Sequence, residues 1–305
     1  MRGPTAASPA SGKRQSGARN GDFVISKAGE RPASRHLRES VDIPLAVGPN
    51  ASMNHVLAVL VCFVACLGSA AALVGGAPPA SGGPEKNVVM IVGSRGNSCS
   101  ATAIARDLLL TAAHCLPPGA DYKLVEFDDG KPTLKDVAQI ARHPQFDLKS
   151  LLAHRATADI AVLKLAQPLS EKVVPAHIGN APAPTQAGAQ FIIAGFGVAV
   201  RGDGKTGGRL RTALLAATGR PGNLQLRLVD PSTNNTRPGL GACTGDSGAP
   251  AFERRGERLA LIGVVSWSTG TLNSVGCGGL TGVTPLALYR DWIFETACKL
   301  GSPLP

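Results

Sequence analysis

From Val88 onward the chain is written in short apolar runs, broken at close intervals by Gly and Pro. Val88–Val92, Ala101–Ala105, Leu108–Ala112, Lys123–Phe127, Val137–Ala141 and Ile160–Leu165 each have strand length and strand composition. A Pro-rich connector, Ala181-Pro-Ala-Pro-Thr185, separates them from a second series. That series reads Gln190–Phe196, Leu210–Ala217, Asn223–Val229, Pro250–Glu253, Leu259–Trp267 and Gly282–Thr284. One segment differs. Leu286–Leu300 starts after Pro285, carries Leu288, Trp292, Ile293 and Leu300, and is expected to be a helix docked on the body. The pattern predicts an all-β protein with a C-terminal helix.

The N-terminal quarter follows neither pattern. Residues 1–52 are rich in Ser, Gly, Ala, Arg and Pro without hydrophobic periodicity, and are expected to be disordered. Met53 opens an apolar stretch that runs to Leu67 and ends in Gly-Ser-Ala-Ala-Ala72. An apolar core followed by small residues resembles a secretory signal over 53–72, with Ala70-x-Ala72 as its cleavage site, although Asn54-His55 is a weakly charged start. Synthesis is then expected to begin at Met53, with 1–52 an upstream extension of the reading frame. An uncleaved anchor over Val56–Val74 is the rival, being just long enough to span a bilayer. A lipoprotein signal ending at Cys66 is disfavoured by Phe63-Val64-Ala65.

Composition narrows the class. A chain of 305 residues holds one or two domains. Only 17% of it is charged and 37 residues are Gly, which suits short strands and tight turns better than helices. The formal net charge is +10, of which 8 basic and 4 acidic residues fall in the first 72. The remaining excess is scattered, with no basic run interleaved with aromatics, so a nucleic-acid partner is not expected. No Cys-x-x-Cys or His-x-x-x-His spacing suggests a metal site, and no cofactor is expected.

The chemistry concentrates in Gly241-Ala-Cys-Thr-Gly-Asp-Ser-Gly-Ala-Pro250. Ser247 there stands between glycines, with Asp246 just before it. A serine hydroxyl is a poor nucleophile at neutral pH and needs a base, an orienting group and donors for the developing oxyanion. The flanking glycines allow a tight turn that can aim the amides of Gly245 and Ser247 into one cavity. Such a loop is common by itself, so the rest of the chain decides. It supplies His114, at the end of Leu109-Leu-Thr-Ala-Ala-His-Cys115, and Asp159, at the head of Asp159-Ile-Ala-Val-Leu163.

Thr111-Ala-Ala-His-Cys115, Asp159-Ile-Ala-Val-Leu163 and Gly245-Asp-Ser-Gly248, in that order, resemble the trypsin/chymotrypsin family of serine peptidases. The resemblance runs from about Leu73 to the C-terminal helix. It implies two six-stranded antiparallel β-barrels across an active-site cleft, at about 73–180 and 185–285, with the helix at 286–300. It further implies His114 as general base, Asp159 as its orienter, Ser247 as nucleophile, and disulfides Cys99–Cys115 and Cys243–Cys277. Two disulfides imply an oxidising compartment, so a secreted or periplasmic protein is expected, free of stable membrane association if the signal is cleaved. Cys298 is left over. His143 and His154 read as surface residues, and Arg201-Gly202-Asp203 as part of a mobile glycine-rich loop rather than an adhesion motif. Implied partners are polypeptide substrates and protein inhibitors.

The resemblance also assigns a primary pocket to Gly241, Ala242, Ser266, Trp267, Ser268 and Gly282. An Asp six residues before the nucleophile selects Lys or Arg in this family; here that position is Gly241, which leaves a buried cation without a partner. Ser268 replaces a usual glycine and is expected to narrow the entrance, while Gly282 is expected to keep the opposite wall open. Ala249 replaces the usual second glycine after Ser247. Leu73-Val-Gly-Gly76 resembles the N-terminus that relatives expose on activation, whose ammonium would pair with Asp246. A non-catalytic binding protein on the same fold is the alternative; such relatives usually lack a triad member.

Overall fold

The computed structural model describes residues 73–128, 131–179, 185–219 and 224–305. The expectations for 1–72, and residues 181–184 of the connector, lie outside the described residues.

The first barrel is built from β1 (Val88–Gly93), β2 (Ser98–Ala103), β3 (Leu108–Thr111), β4 (Tyr122–Asp128), β5 (Lys131–Arg142) and β6 (Ala161–Leu165). It closes in the order β1-β2-β3-β6-β5-β4, every pairing antiparallel. A short strand β7 (His177–Ile178) follows, paired in parallel with a strand of the second barrel. That barrel comprises β8 (Gln190–Gly195), β9 (Arg211–Ala217), β10 (Leu226–Val229), β11 (Pro250–Arg255), β12 (Arg258–Ser268) and β13 (Thr281–Pro285). Its order is β11-β8-β9-β10-β13-β12, and the β11–β12 hairpin closes the ring. The two-barrel antiparallel fold is the one expected.

Closure explains the apolar runs. In β3, Leu108, Leu109 and Leu110 are all fully buried, so this strand is covered on both faces. The first barrel's core continues into Phe252, Leu261 and Val264 of the second and into Ile293 and Ala297 of the terminal helix. A separate apolar cluster fills the second barrel and includes Leu73, Ile193, Leu215, Ala249 and Val283.

Besides β7, three elements depart from expectation. The strand expected at Val137–Ala141 begins earlier, at Lys131, because a polar and largely exposed half extends the hairpin with β4 beyond the core. A short helix, α1 (Leu148–Leu152), is started by Asp147, whose carboxylate accepts the amides of Lys149 and Ser150 at 3.2 and 2.9 Å. The C-terminal segment opens with a 3₁₀ turn at Leu286–Leu288, and its α-helix, α2 (Arg290–Lys299), starts five residues after Pro285 rather than at once.

Candidate active site

Strand register brings His114 and Asp159 together. Thr111, the last residue of β3, pairs with Ala161, the first of β6. The chain leaving β3 and the chain entering β6 therefore emerge at the same barrel end. His114 sits in the tight turn Ala113–Cys115 just past β3, and the Cys99–Cys115 disulfide ties that turn to β2. Asp159 lies just ahead of β6 with its side chain fully buried. Its Oδ1 accepts the His114 amide at 2.9 Å, and its Oδ2 lies 2.7 Å from His114 Nδ1. A carboxylate oxygen at that distance is an acceptor, so Nδ1 carries the proton.

A third donor comes from the other barrel. Ser266 in β12 donates its hydroxyl to Asp159 Oδ2 at 2.6 Å. Ser266 was expected only as a member of the pocket strand; its hold on Asp159, 107 positions away, is a role that sequence reasoning missed. Nearby, burial and the negative charge of Asp159 push the Tyr289 hydroxyl above its usual pKa.

The loop carrying Ser247 is held from both barrels as well. Gly245 and Gly248 both have positive φ, +93° and +81°, a region costly for residues with a Cβ. Ser100 of β2 reaches it twice and the end of β8 once. Its Oγ donates to Gly245 O and accepts the Phe196 amide, both at 3.0 Å, and its own amide donates to Ser247 O at 2.8 Å. Within the loop, the amides of Asp246 and Gly248 are bonded to Cys243 O and Val265 O. Those of Gly245 and Ser247 donate to nothing among the described residues. Alternate amides are thus committed and free, the arrangement an anion cradle requires.

Asp246 is fully buried behind this loop. Its two oxygens accept the amides of Gly197, at 2.8 Å, and Cys243, at 2.9 Å. A Cβ on Gly197 would run into the carboxylate, so only glycine lets that strand end approach. Burial pushes the carboxyl up to about 7, against the opposing effect of the two amides and of the positive field of Arg211. Leu73 is fully buried in the same barrel with Ala242 and Ala249, and Val74 bridges to Gly241.

His114, Gly245 and Ser247 line one cleft of about 470 Å³ with both disulfides, Asn97, His154, Arg201 and Ser268. No hydrogen bond joins His114 to Ser247; such bonds often tighten only in the substrate complex. Cys99, His114 and Cys115 approach one another closely, but the two sulfurs are joined and offer no thiolate to a metal. The pairing Cys243–Cys277 also stands as expected, and Cys298 is free and exposed.

Strand pairing fixes the register of the residues expected to form the primary pocket. A bulge in β12 between Val265 and Trp267 sets Trp267 opposite Gly282 and Ser268 opposite Thr281. The Trp267 ring therefore occupies the space where a Gly282 side chain would stand. Thr281 lies beside Gly241 and Ala242. Its Oγ1 accepts the Ala242 amide at 3.0 Å and lies 3.5 Å from where a Cβ on Gly241 would be, with Gly278 Cα at 3.2 Å. His154 is exposed, as expected, yet its ring stacks on Trp267 with centroids 4.6 Å apart. His143 is half-buried against Tyr289 and Trp292, and burial lowers its pKa.

Two barrels meeting over this arrangement define a class of serine peptidases, and comparison with known proteins agrees. The family model described as Trypsin matches residues 73–293, and the chain belongs to that family of serine endopeptidases. A vitellin-degrading protease of Bombyx mori is 28% identical over 234 residues, covering 71% of this chain and 82% of its own length. Vitamin K-dependent protein C of Mus musculus is 30% identical over 230 residues, 68% of this chain but 48% of that protein, so this chain spans about half its length. Among solved structures, neuropsin, a serine protease expressed in the limbic system of mouse brain, superposes with a TM-score of 0.56 at 20% identity. That match covers 73% of this chain and 99% of the other, and it speaks to the fold.

The raised carboxyl of Asp246 generates a pH prediction for any form in which residue 72 is still attached. With a folded pKa near 7 against an ordinary 3.8, the folded state holds this proton more tightly than the unfolded chain. The contribution to stability is complete below the ordinary value and lost as pH rises through about 7. Urea unfolding of Ser247→Ala protein carrying Ala72 should show this loss between those values. Adding Asp246→Asn should remove that part of the slope, and an unchanged slope would refute the account.

Proposed function

We propose that the chain hydrolyses peptide bonds through Ser247, His114 and Asp159, by way of an acyl-enzyme. The observation that carries this reading is the buried Asp159 carboxylate 2.7 Å from His114 Nδ1, with His114 and Ser247 lining one cleft. With Nδ1 protonated, Nε2 is the free base that takes the Ser247 proton as Oγ attacks the substrate carbonyl and later delivers it to the leaving amine. The free amides of Gly245 and Ser247 receive the carbonyl oxygen as it becomes anionic. A fluorophosphonate should label Ser247, and His114→Ala should abolish the labelling. Ser247→Ala, His114→Ala and the double variant should lower turnover by similar factors, because each alone disables the nucleophile. Asp159→Asn should cost on the order of 10⁴ by favouring the wrong imidazole tautomer. Multiplicative losses in the double variant would count against the assignment.

The pocket favours uncharged, small-to-medium apolar residues at P1, the residue that donates the scissile carbonyl. Gly241 offers no charge at the base, Ser268 narrows the mouth, and the Thr281 hydroxyl and Gly278 lie close beneath. Ala and Val suit this shallow space best, and an unpaired Arg or Lys would be costly to bury there. A peptide library should rank Ala and Val above Phe, with Thr281→Gly shifting the optimum towards larger residues. Fastest cleavage after Arg or Lys would refute the reading.

Export and activation form a single event in this proposal. Residues 53–72 act as the signal, cleavage after Ala72 frees Leu73, and 73–300 is the peptidase domain. Two disulfides in the fold support an oxidising destination. The freed ammonium pairs directly with the buried Asp246 carboxylate, fixing the loop that bears Gly245. N-terminal sequencing of exported protein should read from Leu73, and an extra Ala before it should sharply lower activity. Full activity of the extended form would overturn this.

A further inference from the structure

Among the residues lining the cleft, Arg201 is the one permanent cation and none is Asp or Glu. Arg201 belongs to the loop between β8 and β9 and reaches across to a loop of the 270s, where its Nη1 donates to Val275 O at 3.2 Å. The same nitrogen lies 3.9 Å from where a Cβ on Gly276 would stand. One of its five N–H donors is thereby used, and Arg201 makes no ion pair among the described residues. Asp203, two positions along, is occupied with its own turn, accepting the Lys205 amide at 3.1 Å. A fork-shaped cation is thus anchored over the rim of the cleft with its remaining donors uncommitted.

The substrate that would meet it follows from strand geometry. Given the peptidase reading proposed above, on which this inference rests, an extended peptide runs along Ser266–Ser268 with alternate side chains on opposite faces. P1 points towards Gly241 and the Cys243–Cys277 disulfide, and P2 towards His114 and His154 on the other face. P3 returns to the P1 face about 7 Å further along. That face carries Gly276, whose carbonyl lies 3.5 Å from Ser268 Oγ, and beside it Val275 with Arg201. P1 itself is excluded as the partner, because Thr281 and Gly278 close its neutral pocket. We infer that Arg201 makes the enzyme selective for substrates with an acidic side chain at P3.

The test compares quenched fluorescent peptides with Ala at P1, Glu, Gln or Lys at P3, and neutral residues elsewhere. At low salt, kcat/KM should favour Glu over Gln by about threefold, the size an exposed ion pair reaches, and Lys should be poorest. The Glu-to-Gln ratio should fall towards one in about 0.5 M NaCl, where the screening length shrinks to a few ångströms. It should vanish in Arg201→Gln, persist in part in Arg201→Lys and invert in Arg201→Glu, whereas moving Glu to P2 should give no ratio that depends on Arg201. Thermal melts of the variants check that the exposed loop change leaves the fold intact. A ratio of one in the unaltered enzyme, or a ratio indifferent to Arg201→Gln, overturns the inference while leaving the peptidase reading in place. Failure to cleave any peptide, with no fluorophosphonate labelling, overturns both.

Discussion

A carboxylate removed from water must be given donors or it will not stay ionised in the folded state. Asp159 meets that requirement with the His114 amide and imidazole from one barrel and the Ser266 hydroxyl from the other. Neither barrel alone completes the set. The need to satisfy one buried charge therefore fixes how the ends of β3 and β6 face β12, and with them the position of the imidazole over the cleft. Ser100 makes a similar connection in the reverse direction, from the first barrel onto the serine loop of the second.

Asp246 is the instructive contrast. It is the same residue type at the same depth, but its donors are two main-chain amides and its carboxyl is pushed up to about 7. One carboxylate draws its donors from both barrels, the other from two amides of the second barrel. The loop between Cys243 and Gly248 wraps this second carboxylate, so its electrostatic state and the shape of the adjacent amides cannot be separated.

Much of this was legible in the sequence. The strand centres were readable because a barrel strand covered on both faces must be apolar, as in Leu108–Leu110. The three motifs were readable because each couples a chemical group to the backbone that presents it. What escaped depended on contacts far apart in sequence. β7 is two residues long and exists because Ala260 and Leu261 lie beside it. The polar half of β5 is a strand because β4 pairs with it, not because of a buried face. That Trp267 stands opposite Gly282 and Ser268 opposite Thr281 turns on a single bulge after Val265, which shifts the register by one.

The free donors of the serine loop belong to the main chain. A main-chain amide has no codon of its own: apart from proline, no substitution at positions 245 or 247 deletes it. Random mutation can remove the hydroxyl, the imidazole or the carboxylate in one step, yet it reaches these two amides only by bending the loop, through Ser100, Gly197 or the glycines at positive φ. Inheritance of this part of the site is inheritance of a shape. Ser100 and Gly197, which guard that shape, do not line the cleft, and a search for damaging variants confined to cleft residues would pass over them.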